Sequence, residues 1–125
     1  MQAIGKKKWV IPAGHIPLQT TGKEPDFLSQ DRIAILNTGM STVKLKLTVY
    51  HPDQEPIENY ILEIKGQRLR KIRINDLIDP FPVFLATDYA LVIEAEHEVI
   101  IQFLRMNTGH RNVAIMGTMA YGTDG

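Results

Sequence analysis

Apolar residues recur at every second position through much of this chain. Val43, Leu45, Leu47 and Val49 alternate with Lys44, Lys46, Thr48 and Tyr50, which is the period of a strand with one face in a core and the other toward water. His51-Pro52-Asp53 closes that strand, since proline removes a ladder donor and aspartate favours turns. Tyr60, Leu62 and Ile64 repeat the pattern with Glu63 and Lys65 opposite, Gly66 marks a turn, and Leu69 to Ile74 reads as the partner strand. Asp31 to Thr38 precedes these as another strand, ended by Asn37-Thr38-Gly39, and a short strand fits Lys8 to Ile11. Asn75 to Asp88 is the one long irregular segment. Asn75 or Asp76 is placed to cap a single helical turn through Ile78, which Pro80 and Pro82 keep from growing. Three further strands are expected at Tyr89 to Ala95, Val99 to Met106 and Val113 to Tyr121. About seven to nine short strands with Gly/Pro turns, and no amphipathic helix of three turns, predict an all-β β-sandwich.

Two of these strands break the alternation. Val99, Ile100, Ile101, Phe103 and Leu104 leave only Gln102 polar among them, and Val113 to Met116 with Met119 and Ala120 are apolar on both parities. A sandwich strand covered on one face normally alternates. The second face of each is therefore expected to be covered, by loops or by another copy of the chain. The second copy is the cover we expect, because soluble monomers rarely expose large apolar patches.

Composition narrows the functional classes. A chain of 125 residues fits one domain, taken as residues 1–125. It contains no cysteine, which excludes disulfides and thiolate metal sites. Lys+Arg and Asp+Glu are both 14, for a net charge of zero, so no global field draws it to nucleic acid or membrane. No run approaches the ~18 apolar residues of a membrane-spanning helix, and Pro12, Gly14 and Pro17 interrupt any signal-like stretch after the basic start. A cytoplasmic location is expected.

Several residues could carry chemistry, and each has a plainer reading. Trp9 and His15, joined by a Pro-rich loop, could form a stacking platform; core packing of Trp9 accounts for it more simply. Asn75, Asp76, Asp79 and Asp88 supply oxygen ligands, but their spacing fits no cation-loop signature. Capping and turn formation explain them, so no metal is expected. Lys65, Arg68, Arg70, Lys71 and Arg73 form a basic strip, with Lys6-Lys7-Lys8 a second one. Either could meet phosphates, yet no aromatic is interleaved for base stacking, and basic edge strands also discourage aggregation. Nucleic acid is therefore a minor candidate. Gln102 and Arg105 lie three apart on a strand and face opposite sides. One of them must sit near the core or an interface, and if it is Arg105 it needs a carboxylate there. The four histidines, His15, His51, His97 and His110, fall in expected loops or turns, and no nucleophile, phosphate-loop or zinc-protease pattern occurs. A non-enzyme without cofactor is expected.

The chain also resembles a known family, the Anabaena sensory rhodopsin transducers. The resemblance lies in Trp9 with Pro12-Ala13-Gly14-His15-Ile16-Pro17, in Glu24-Pro25 with Phe27 and Ser29, and in Ile35-Leu36-Asn37 with Gly39. It continues through Tyr50, Asp53, Glu55-Pro56 and Tyr60. The most specific block is Asn75-Asp76-Leu77, Asp79-Pro80, Pro82, Thr87-Asp88, Ala90 and Val92-Ile93, followed by Gln102, Arg105 and Ala120-Tyr121. The resemblance implies a jelly-roll-like sandwich related to carbohydrate-binding domains, assembled as a tetramer, and in the founding case a soluble partner for a membrane photoreceptor. The expected function is a signalling adaptor that binds a membrane receptor or another signalling protein. A carbohydrate or small-molecule binding module is the alternative, and a DNA-contacting regulator the third. The candidate ligand or partner residues are Trp9, His15, Asn75, Asp76, Asp79, Asp88, Gln102 and Arg105.

Overall fold

The computed structural model describes residues 3–16, 30–78, 80, 82–83, 87–107 and 114–124, with the backbone alone at 30, 106–107 and 114–116. Eight strands follow in order: β1 (Lys6–Gly14), β2 (Gln30–Asn37), β3 (Val43–His51), β4 (Gln54–Ile64), β5 (Arg68–Arg73), β6 (Tyr89–Asn107), β7 (Ala114–Met119) and β8 (Tyr121–Thr123). A 3-10 turn, Ile74–Asp76, lies between β5 and β6.

The 19-residue β6 organises the fold. Its first half pairs antiparallel with β1 and β3, and its second half with β2 and β7. Beyond these, β4 extends from β3, β8 from β1 and β5 from β2. The result is an all-β, β-sandwich-like fold whose two sheets share one strand. The inward positions of both sheets meet in one core. Ile33 and Ile35 of β2, Leu45 and Leu47 of β3, and Ile93 and Ile101 of β6 are all fully buried there.

Two expected strands, Tyr89 to Ala95 and Val99 to Met106, are thus one. Glu96-His97-Glu98 between them holds no proline or glycine, and the odd positions are buried on both sides of it, from Tyr89 to Ile93 and from Val99 to Phe103, with Ala95 half-buried and His97 exposed between them. His97 accordingly lies within a strand, and His51 is the last residue of β3, whereas both were expected in loops or turns. The expected final strand is instead divided. Ala120 is buried, its N–H donates to Ile101 O (3.2 Å), and the chain passes there from β6 as partner to β1. The helical turn spans Ile74–Asp76 and does not run through Ile78; its N-cap residue is Arg73, two residues before Asn75, and no side chain caps it, so neither Asn75 nor Asp76 does so.

β4 reaches back to Gln54, past Pro56, with two extra residues opposite β3, one at each of two register shifts, and Asn59 at φ 74°. Proline and a bulge suit this strand because nothing pairs its outer edge among the described residues. At the start of the chain Gly5 takes φ +123° and a Cβ there would lie 2.0 Å from Val99 O, so only glycine lets β1 approach β6 this closely.

Candidate functional site

β2 carries a carboxylate where its pattern calls for a core residue. Asp31 shares the inward parity of Ile33 and Ile35 and is fully buried. A buried carboxylate is tolerable only when several donors satisfy it, and three do. Tyr89 Oη–H donates to Asp31 Oδ2 at 2.5 Å, the His15 backbone N–H donates to the same oxygen at 3.1 Å, and Arg105 Nε–H donates to Oδ1 at 3.0 Å. Arg105 occupies the position after Phe103 on the inward row of β6 and rests over the Phe103 ring, 5.7 Å from its centroid. It is the inward member of the Gln102/Arg105 pair, and Gln102 is exposed.

Gly14 makes the Tyr89 position possible. A Cβ at Gly14 would fall 2.2 Å from Tyr89 Cζ, so the phenol lies directly against backbone. Burial pushes the Tyr89 hydroxyl far above the usual phenol range; the charge of Asp31 and the hydrogen bond to it push the same way, and Arg105 opposes them. Tyr89 is therefore a fixed neutral donor.

Above this network lies an open cleft of about 440 Å³. Its walls are the end of β1 from Pro12 to Gly14 with His15, the β3–β4 turn at Tyr50, His51 and Pro52, and Asp88 to Ala90 with Arg105. His15 Nδ1 meets Asp88 Oδ1 at 2.9 Å, and His51 Nδ1 meets the Asp88 carbonyl oxygen at 3.2 Å. Both acceptors are oxygens, so each Nδ1 carries the hydrogen. The His15–Asp88 pair is exposed to solvent and fixes geometry more than it adds stability. The cleft thus offers a guanidinium, an imidazole, a carboxylate and the Tyr50 ring around apolar Pro12, Ala13 and Ala90.

Residues 4–122 match the family model described as Anabaena sensory rhodopsin transducer. The chain belongs to that family. The solved Anabaena sensory rhodopsin transducer itself is 34% identical, with a TM-score of 0.75 over 82% of this chain and 97% of its own. Protein 1070 of Thermotoga maritima, known from a crystal structure, is 26% identical, with a TM-score of 0.83 over 97% of each chain. Comparison with curated proteins found no match.

Within this transducer-family fold, the cleft brings together three residues singled out from sequence: His15, Asp88 and Arg105. The others lie elsewhere. Trp9 is buried, with its indole N–H on Lys6 O and Val99 O, so it offers no stacking face. Asn75 and Asp76 belong to the 3-10 turn, where the Asp76 carboxylate takes Arg73 Nε and Nη2 at 2.9 and 2.8 Å. Asp79 lies outside the described residues. No group of three His, Asp or Glu side chains suits a metal among the described residues.

The basic strip does not form one charged face. Strand alternation sends Arg68 and Arg70 to one side of β5 and Lys71 and Arg73 to the other. Arg68 bonds the carbonyls of Gly66 and Gln67, and Arg70 bonds that of Glu63. Lys65 lies on the preceding turn and is exposed. Asp31, Tyr89, Tyr50 and His51 were not among the sequence candidates. For Asp31 a signal existed: a charged residue on the same parity as Ile33 and Ile35.

Proposed function

We propose that this protein is a signalling adaptor that acts by contact with a protein partner and not by catalysis. The observation that carries this reading is the transducer-family match over residues 4–122, supported by the 34% identity to the Anabaena transducer. A membrane receptor or another signalling protein is the expected partner, reached from the cytoplasm by one domain spanning residues 1–125. Among the described residues no helix is long and apolar enough to cross a membrane. The test is capture from native extract, with the membrane fraction included, on immobilised protein. A partner retained in stoichiometric amount and confirmed with purified components is the expected result. Turnover of generic hydrolase, phosphatase or glycosidase substrates, lost on replacing His15, would overturn it.

Self-association, with a tetramer as the expected form, belongs to the same reading. Leu36 of β2 pairs with Leu69 of β5 and with Ile100 of β6, which makes an aliphatic row across three strands on the side opposite Ile33 and Ile35. Leu36 and Leu69 are exposed in the single chain, and a second copy laid on this row would cover them.

A binding module for carbohydrate or another small molecule is the second reading. The cleft at Tyr50, His15 and Asp88 favours it, because an aromatic face beside hydrogen-bonding side chains suits a hydroxylated ligand. Calorimetry with a panel of mono- and disaccharides separates the two: saturable heat abolished by Asp88→Ala supports the module, and its absence removes that reading.

A further inference from the structure

One cation joins the cleft described above to a second one. The second, of about 460 Å³, is lined by Val10, Ile11, Phe103, Thr118, Met119 and Tyr121 among others. Pro12, Ala13 and Arg105 line both. The two are therefore lobes of one trough, open to solvent, with Arg105 at its waist. The second lobe is apolar, and Arg105 is the single charged residue among the described residues lining it. Met119 and Tyr121 stand on its rim, 55% and 66% exposed.

The guanidinium is only partly used by the fold. Its hydrogen bond to Asp31 runs through Nε, and among the described residues the two Nη groups are left to the trough. Asp31 in turn is shared with Tyr89 and His15, and Asp88 is held at the far lobe by His15. An arginine with free Nη donors is a receptor for a carboxylate. The apolar lobe beside it suits an aliphatic side chain. Arginine, tyrosine and methionine on one exposed surface are also the residue types enriched at protein interfaces. Small-molecule sites enclose most of their ligand, whereas a trough open along its length suits a segment whose remainder lies on the surface.

We propose that the trough receives a segment of a protein partner in which a carboxylate side chain neighbours a large aliphatic one. The carboxylate meets the Arg105 Nη groups, and the aliphatic chain lies between Phe103, Met119 and Tyr121. This rests on the partner-binding reading and gives that partner its chemistry.

The experiment is an NMR titration of labelled protein with three probes: a blocked pentapeptide with a central glutamate between two leucines, its glutamine counterpart, and free isocaproate. The glutamate peptide should shift the amides of Ala13 and Tyr121 and the Arg105 Nε–H, and bind about tenfold or more tightly than either other probe. Arg105→Gln should remove that preference. Because that change also unpairs Asp31, the exposed Tyr121→Ala is the second variant, expected to weaken the glutamate peptide by about threefold or more with an unchanged melt. Equal binding of the glutamine peptide overturns the proposal. So does isocaproate binding as tightly as the peptide, which marks a small-molecule site, or a change of oligomer mass in Tyr121→Ala, which marks a contact between copies. A partner captured equally by wild type and Tyr121→Ala refutes the trough and leaves the adaptor reading intact. If wild type captures nothing, the adaptor reading fails and the peptide titration still decides the trough.

Discussion

Replacing Asp31 by asparagine should be among the costliest isosteric changes in this protein. The carboxylate accepts from three donors in two directions: Tyr89 and the His15 N–H on one oxygen, Arg105 Nε on the other. An asparagine has one acceptor oxygen. With that oxygen toward Tyr89 and His15, its NH2 faces the Arg105 N–H and the guanidinium charge. With the oxygen toward Arg105, the NH2 faces the His15 N–H. Either orientation sets two donors against each other in a buried place. A hydrogen bond to a charged group contributes about 1.5–3 kcal/mol, and a buried donor left unmade costs about 1–3 kcal/mol. The Arg105 side chain is 30% exposed and recovers part of its loss in water. The net cost is about 3 kcal/mol, a large share of the roughly 5–15 kcal/mol by which such domains are stable. At about 4 °C per kcal/mol for a chain of this size, the melting midpoint should fall by about 12 °C. Urea unfolding of Asp31→Asn, Tyr89→Phe and the double variant is the assay. Tyr89→Phe alone should cost about 1–2 kcal/mol. In its background the Asp31 change should cost less by about 1 kcal/mol, because the two residues share a bond. A fall below about 3 °C for Asp31→Asn, or strict additivity of the pair, would refute the network as a source of stability.

Three further outcomes follow from the same geometry. The Tyr89 pKa is raised in the folded state, so the native form holds its proton when the unfolded form has lost it. Stability is then unaffected below the ordinary phenol pKa near 10 and falls above it, by about 1.4 kcal/mol per pH unit; alkaline urea titrations should show this slope in wild type and lose it in Tyr89→Phe, and an equal slope in both would contradict it. Gly14→Ala drives a methyl into the Tyr89 ring and should destabilise by about 1–3 kcal/mol; an unchanged melt would show that the ring is free to move. Leu69→Glu places a charge in the aliphatic row of β2, β5 and β6 and should lower the mass seen by light scattering toward the 14.1 kDa monomer; an unchanged oligomer clears that face, and a monomeric wild type ends the self-association reading.

The legible part of this fold was the part governed by period two. The alternation of β3 and the second half of β4 reads directly as core and solvent faces, and the turns at Pro52 and Gly66 fall where those residues require them. The continuity of β6 was less visible, because Glu96-His97-Glu98 resembles a polar loop, although any of the three residues can extend. What links the two halves is phase: the buried odd positions from Tyr89 to Ile93 resume on the same parity from Val99 to Phe103, across the exposed His97. The site was half legible. His15, Asp88 and Arg105 stand out as charged or titratable residues near turns or strand ends. Asp31 does not, because its partners lie 58 and 74 residues away in sequence and no local pattern brings Tyr89 or Arg105 to it. What can be read is a rule of place: a polar residue continuing an inward apolar row, as Asp31 precedes Ile33 and Arg105 follows Phe103, must find a partner at the end of the core.

That rule also explains why the residue at the waist of the trough is an arginine. A lysine there would put one ammonium either on Asp31 or into the trough, and its single point charge cannot serve both directions. The guanidinium can divide the work by edge: Nε holds the buried carboxylate, which leaves the Nη groups for the carboxylate proposed to enter the trough. Arg105→Lys should therefore lose either stability or carboxylate preference, whichever side the ammonium abandons. Stability measured by urea and peptide preference measured by NMR on the same variant report the two sides separately. A lysine variant that kept both would show that charge alone suffices and that the two edges of the arginine are not used separately.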